Sequence, residues 1–285
     1  MSIKKNRHQG SFSLSKKIQE FSKLNIEQIK SLAKIAGIRC EDYREDYLMR
    51  RMAYHFNKSR AVSLEEYFHL LSVDSFLKHQ LVDYLNVNTS CFFRDSASFD
   101  YLRSEVLPEM FTNFPKVNIW SMGCSIGAEI YSVALILSAL KKLRRSELIA
   151  SDIDIDAMNR AKRGEYFQNE IKNIPDEFRG YFNNYEDLKN RTYLSKEIIQ
   201  EVEFFVYDLN SSSPLNDTLP KKFHLLMCRN VMIYFSPEVK KTLYKKFHDL
   251  LEPKGILFIG ESEIITNPRH LGFEQINKHF YRKVN

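Results

Sequence analysis

The chain has 285 residues, 44% of them apolar and 27% charged, which allows one large or two modest globular domains with a real core. Its four cysteines, Cys40, Cys91, Cys124 and Cys228, are scattered without a C-x-x-C, and its eight histidines form no H-x-x-x-H. That pattern argues against a disulfide framework and a metal site, and for reduced thiols in a cytoplasm. No apolar h-region marks a signal peptide, and the most apolar run, Tyr131 to Leu140, is too short to span a bilayer.

The net charge of +6 sits at the front: residues 1–85 carry 15 Lys and Arg against 10 Asp and Glu, the remainder 27 against 26. Such a front suits an acidic partner (nucleic acid, an anionic membrane or an acidic protein surface) or simply a solvated helical surface. Residues 1–16 are polar, basic and expected to be disordered. Residues 17–86 read as an all-α domain. Ile26, Ile29, Leu32, Ala33 and Ala36 share a helical face between Asn25 as N-cap and Gly37 as stop. A second helix over Asp42 to Lys58 carries Arg51, His55 and Lys58 at i, i+4 and i+7, a basic stripe. Ser63 and Glu66 have capping-box spacing before a third helix, and Asp74 opens a fourth.

Residues 87–110 read as a linker and connecting helix. From 111 onward strands alternate with helices, the pattern of a mostly parallel α/β sheet. Strands are expected at Val117–Ser121, Glu147–Ser151, Val202–Tyr207, Phe223–Cys228 and Ile256–Ile259, with a last one in Phe273–Arg282. Ser236-Pro237-Glu238 starts a helix. Residues 166–201 break the rhythm and read as an insertion with a small β element.

In an open parallel sheet the ligand lies beyond the carboxyl ends of the strands. Val117 to Glu129 is a strand, a turn bearing Gly123 and Gly127, and a helix start. It is neither G-x-G-x-x-G nor a phosphate loop, since no Gly-Lys-Ser/Thr follows. Asp152 ends the next strand, where a carboxylate suits a ribose diol. Asp154 and Asp156 begin a helix and read as capping residues. Acids beside a glycine turn, without a phosphate-binding lysine, suit a ligand with a ribose and positive charge. S-adenosylmethionine is such a ligand.

Five ordered segments then carry a resemblance: Asn88-Thr-Ser-Cys-Phe-Phe-Arg94, Trp120 through Ser132, Ala150-Ser-Asp-Ile-Asp154, Cys228-Arg-Asn-Val-Met-Ile-Tyr-Phe235 and Gly260-Glu-Ser-Glu263. Together they resemble the CheR family of chemotaxis protein methyltransferases over residues 20–283. The resemblance implies a Rossmann-like S-adenosylmethionine-dependent methyltransferase domain over 111–285, a small all-α N-terminal domain and a short β insertion. It implies methyl transfer to glutamates of chemoreceptor cytoplasmic domains by a cytoplasmic, metal-free monomer. It puts Asn88, Ser90, Arg94, Gly123, Glu129, Asp152, Asp208, Leu209, Arg229 and Asn230 around the cofactor, Glu129 toward its ammonium, and Arg94 with Tyr234 at the acceptor carboxylate. Arg51, His55 and Lys58 become candidates for docking an acidic receptor helix. The sequence departs from the family at Asp208, where Asn is common, and at Ala128, where Glu is usual. The insertion is short and glycine-poor after Tyr193, so no strong tether to a receptor tail peptide is expected. Two rivals are a nucleic-acid methyltransferase and a silent cofactor-binding regulator. The fourth strand lacks the Asn/Asp-Pro-Pro-Tyr/Phe of amino methylation, and the retained Arg94, Glu129, Asp152, Arg229 and Tyr234 count against silence.

Overall fold

A computed structural model describes residues 17, 19–85, 90–185, 191–211 and 219–284. The chain divides into two compact units, one formed by residues up to Val87 with Tyr234–Ser236, the other by Asn88–Ile233 and Pro237–Asn285. The expected basic tail 1–16 lies outside the described residues.

In the first unit, helix α1 (Ile26–Ile35) is bounded as its sequence dictates. Asn25 and Gln28 exchange side-chain-to-backbone hydrogen bonds, both 3.0 Å, in a full capping box. Gly37 takes φ +77°, and Ile38 N–H reaches the Ala33 carbonyl at 2.9 Å, closing the helix in a Schellman turn. A 3-10 turn (Cys40–Asp42) delays the start of α2 to Glu45, so α2 spans Glu45–Lys58. In α3 (Leu64–Val73), Ser63 caps the Glu66 N–H, but the Glu66 carboxylate turns to Val62 N–H, so the expected box is half formed. Helix α4 (Ser75–Leu85) starts on Asp74, whose carboxylate accepts from Phe76 and Leu77 N–H. Phe21, Ile29, Leu32, Leu48, Met52, Phe56, Tyr67, Leu71 and Leu81 pack as one core.

The basic stripe expected on α2 does not form as such. His55 is 4% exposed and its Nδ1 lies 2.7 Å from the Tyr67 hydroxyl. Burial drives its pKa down to about 4, so it is neutral where docking would need a cation. Arg51 is half-buried, bonded to the Tyr84 carbonyl and stacked 4.6 Å above the Tyr84 ring. Lys58 is exposed.

The second unit is built on a seven-stranded sheet in the order β6-β2-β1-β7-β8-β10-β9. Its strands are β1 (Val117–Met122), β2 (Ser146–Asp152), β6 (Val202–Val206), β7 (Phe223–Cys228), β8 (Leu251–Ile259), β9 (Phe273–Asn277) and β10 (Phe280–Lys283). The first five are parallel, and β10 runs antiparallel to both β8 and β9. The single last strand expected is therefore a hairpin turning at Lys278-His279. Ile119, Leu148, Leu225, Met227 and Phe258 on one face join the main core. Trp120, Ile149, Leu226 and Leu257 on the other face are equally buried. Cover on both faces explains why these strands read as continuous apolar runs.

Of the stretch 87–110 expected as linker and connecting helix, the described residues 90–110 are part of the second unit. Phe92, Phe93, Phe99, Leu102, Val106, Leu107 and Met110 belong to the core of this unit. The helix expected there is three pieces: α5 (Ser96–Tyr101), a π turn (Leu102–Val106) and α6 (Leu107–Asn113). The wide turn lets Leu107 N–H reach Leu102 just before Pro108, which has no N–H to offer. Helix α7 (Ala128–Ala139) follows β1 with ten of its twelve residues buried, and α8 (Ile155–Arg163) follows β2. The insertion holds a three-stranded antiparallel sheet of β3 (Glu165–Tyr166), β5 (Thr192–Leu194) and β4 (Phe182–Asn183). The last helix, α9 (Pro237–Leu250), begins at the proline signal. Among the described residues no helix is long and apolar enough to cross a membrane.

The depressed His55 sets a testable pH dependence. The unfolded chain takes up a proton below about 6.5 that the fold refuses, so stability falls as pH drops from there to about 4. Burial of this kind contributes at most about 3 kcal/mol across that window. Urea unfolding at pH 7 and pH 5 should show a smaller decline in His55→Gln than in the wild type.

Candidate functional site

At the carboxyl ends of the parallel strands lie Asp152 after β2, Asp208 after β6, Arg229 after β7 and Glu263 after β8, with Glu129 in the helix that follows β1. Strand β1 leads into Gly123, at φ +65°, where a Cβ would come within 2.5 Å of Val231 Cγ2. Only glycine fits there, and the turn can then carry Ser125 N–H to the Asp152 carboxylate at 2.6 Å. Asp152 Oδ1 accepts from Asp154 N–H at 2.9 Å. Both oxygens are thus oriented by the backbone. Burial pushes the Asp152 carboxyl up despite these bonds. Asp154 is a helix cap, accepting from Ala157 N–H at 2.9 Å.

Glu129, in the first turn of α7, meets Arg229 from the end of β7. Arg229 Nη1 donates to Glu129 Oε1 at 2.6 Å. The Arg229 side chain is fully buried, lying 5.2 Å from the Phe99 ring and 4.4 Å from the Phe258 ring. Its Nη2 donates to the Arg94 carbonyl at 3.1 Å and lies 3.7 Å from Asp95 Oδ2. Burial raises the Glu129 carboxyl while Arg229 and Arg94 pull it down. Arg94 itself is half-buried, on a loop held by Ser132, whose hydroxyl accepts from Phe93 N–H at 3.0 Å.

The remaining expected residues divide. Asn230 has φ +59° and a buried Oδ1 without a partner among the described residues. Asp208 accepts from Asn210 N–H at 2.9 Å, and Leu209 is buried. Ser90 is half-buried, and Asn88 lies outside the described residues. Tyr234 belongs to the first unit, its ring 4.7 Å from that of Tyr47. Arg229 has no exposed side-chain surface and is bonded to protein groups. Cys124 and Cys228 are buried, and burial raises their thiols well above the ordinary value, which disfavours the thiolate.

The sequence reading missed two residues. Glu263 accepts four backbone N–H bonds, from Gly260, Asn230, Val231 and Met232, at 2.6–3.1 Å. It fixes the loop after β7, and the Gly260–Glu263 motif was its signal. Asp95, between Arg229 and His279, carried no signal beyond its place next to Arg94. Removing Arg229 should strand buried carboxylates. Arg229→Met is expected to destabilise by about 3–5 kcal/mol in urea unfolding, and pairing it with Glu129→Gln should recover part of the loss.

The family model described as CheR methyltransferase, SAM binding domain, matches residues 88–280. A chemotaxis protein methyltransferase of Listeria innocua is 33% identical over 85% of this chain and 90% of its own length. One from Borreliella burgdorferi is 30% identical over 94% of this chain and 96% of its own. Among solved structures, the PH0226 protein of Pyrococcus horikoshii covers 70% of this chain and 96% of that one, at 14% identity and a TM-score of 0.36, too loose a likeness to bear on function. The matched domain contains every strand end described above, and the chain belongs to the CheR family of chemotaxis methyltransferases.

Proposed function

We propose that the protein transfers the methyl group of S-adenosylmethionine to glutamate side-chain carboxylates in the cytoplasmic domains of chemoreceptors, giving glutamate methyl esters and S-adenosylhomocysteine. The observation that carries this reading is the pair of carboxylates at the carboxyl edge of the sheet, buried Glu129 in the first turn of α7 and half-buried Asp152 at the end of β2, one held by Arg229 and the other by backbone N–H groups. The residues present fit the cofactor. Asp152 is a backbone-oriented carboxylate that suits a ribose hydroxyl, the ionised Glu129 suits an ammonium, and Asn230 Oδ1 is a buried acceptor lacking a partner among the described residues. Asp208 and Leu209 are assigned to the adenine and Gly123 to the turn that lets the backbone approach. Asp208 can accept from an amino group but, ionised, cannot donate to a ring nitrogen.

When bound, S-adenosylmethionine supplies a methyl group made electrophilic by its sulfonium. A glutamate acceptor has an ordinary pKa of about 4.3, so it is already ionised at neutral pH and needs no general base. The chain's task is to hold the acceptor in line and exclude water, which contributes about 7–11 kcal/mol in favourable cases. Arg94 is assigned to orient the acceptor carboxylate. It must not grip too tightly, because that charge is lost as the ester forms and ground-state binding alone gives no rate. Tyr234 receives the same task on the family motif alone. Arg51 and Lys58 are proposed to meet an acidic receptor helix in a salt-sensitive encounter, without His55.

Labelled methyl should pass to receptor cytoplasmic fragments and be released by mild base, as an ester. Label on RNA or DNA instead, or none at all, would sink the assignment. Arg94→Ala should lower kcat about a hundredfold, the scale of a misplaced reactant, and Tyr234→Phe should lower it less. A wild-type rate in Arg94→Ala removes that residue's role.

Ligand binding should also move protons. Glu129 and Asp152 both titrate above their ordinary range, and the ionised forms are the ones that bind. Affinity for S-adenosylhomocysteine, measured by calorimetry, is therefore expected to fall on acidification, with protons released on binding at the lower pH. The slope should shrink in Glu129→Gln.

A further inference from the structure

Asp95 belongs to no role assigned so far, yet its position is highly constrained. It sits at φ +63°, in the left-handed region, as the residue before α5. Its carboxylate accepts from the Ser98 hydroxyl, and its Oδ2 lies 3.7 Å from both Arg229 Nη2 and His279 Nε2. His279 is itself buried, at the β9–β10 turn, with Nδ1 lacking a partner among the described residues. The preceding carbonyl, that of Arg94, accepts from the same Arg229 Nη2.

The Arg229 guanidinium is thus gripped from two sides, by Glu129 through Nη1 and by residues 94–95 through Nη2. A buried guanidinium must be neutralised. If Glu129 were its sole counterion, an arriving ammonium would compete with Arg229 for one carboxylate. With Asp95 present, two carboxylates face two cations once the ligand binds. Glu263 adds negative charge nearby but is spent on four backbone N–H groups, and Arg94 adds positive charge felt by Glu129.

We infer that Asp95 is a positioning residue: it holds the far side of the Arg229 guanidinium so that Glu129 keeps a carboxylate oxygen free for a cationic ligand group. The inference rests on the S-adenosylmethionine reading above and adds a residue to it. His279 packs against Asp95 and limits where its carboxylate can go. Burial and Arg229 hold the His279 pKa down while Asp95 and Glu261 raise it, so at neutral pH it does not compete with Arg229 for Asp95.

The test is S-adenosylhomocysteine affinity by calorimetry, with donor KM and kcat in the methyl-transfer assay. Asp95→Asn keeps the shape, the acceptor oxygen for Ser98 and a side chain that tolerates the left-handed region, and removes only the charge. Affinity should fall roughly tenfold, the scale of coupling within one ion-pair network. Donor KM should rise in parallel, with kcat at saturating donor little changed. In a Glu129→Gln background the same substitution should have almost no effect, because Asp95 acts through Glu129. Ser98→Ala, which frees the Asp95 carboxylate without removing its charge, should give a smaller loss in the same direction. Wild-type affinity in Asp95→Asn, or additive losses in the double variant, overturns the inference. A wild-type chain that binds no S-adenosylhomocysteine overturns the cofactor reading itself, and this inference with it.

Discussion

The second unit depends on where it can put one guanidinium. Arg229 directly follows a fully buried strand and its side chain is itself buried, so its charge cannot reach water, and desolvating it costs several kcal/mol unless anions surround it. Glu129 and Asp95 supply them, and the Phe99 and Phe258 rings supply faces for its plane. Because the partners come from three places in the chain, satisfying Arg229 also fixes the loop at Arg94, the first turn of α7 and the end of β7 relative to one another. The electrostatic requirement of one buried residue becomes the geometry of a site.

That geometry is held under strain. Phe93, Asp95, Ser125 and Asn230 all have positive φ, the first two in the loop before α5 and the others just after β1 and β7. Such conformations cost about 1–3 kcal/mol each and persist only where surrounding bonds over-determine them. Here the bonds are identifiable. Ser132 holds Phe93, Asp152 holds Ser125, and Glu263 holds Asn230 with its two successors. Glu263 spends its carboxylate on four backbone N–H groups, and burial raises its carboxyl even so. Its work is to make an unfavourable turn the only one available.

The sheet was legible because its central strands β1, β2 and β7 and the second half of β8 are largely buried on both faces and several crossovers carry a helix start or stop. Ser236-Pro237, Gly164 and the acids after Asp152 mark boundaries by local chemistry, and the structure places them there. What local chemistry does not encode was missed. Residues 90–110 look like a connector because their apolar side chains follow no single period, yet Phe92, Phe93 and Phe99 fill the core. His55 looks like part of a basic stripe because spacing shows only which residues share a helix face. It is the partner Tyr67 on α3 that makes that position an interior one. Tyr234 follows Arg229 by five residues, but its ring packs on Tyr47 in the helical unit. Proximity in a motif says which residues travel together in sequence, and it does not say which contacts they make.

The two family departures are better judged by burial than by the motif. Ala128 is wholly buried at the start of α7, next to Glu129. A second carboxylate there would need its own counterion in the same desolvated space, and the one buried guanidinium is already shared between Glu129 and Asp95. Alanine therefore concentrates the negative charge at Glu129, where Arg229 can orient it. Asp208 is a different case. It is half-buried, it already caps its own turn through Asn210, and its neighbour Leu209 passes its carbonyl to Lys246 at 2.9 Å. A carboxylate at that position has solvent and a turn to satisfy it, so the change from amide to acid alters which ligand atoms it can meet without unsettling the fold beneath it.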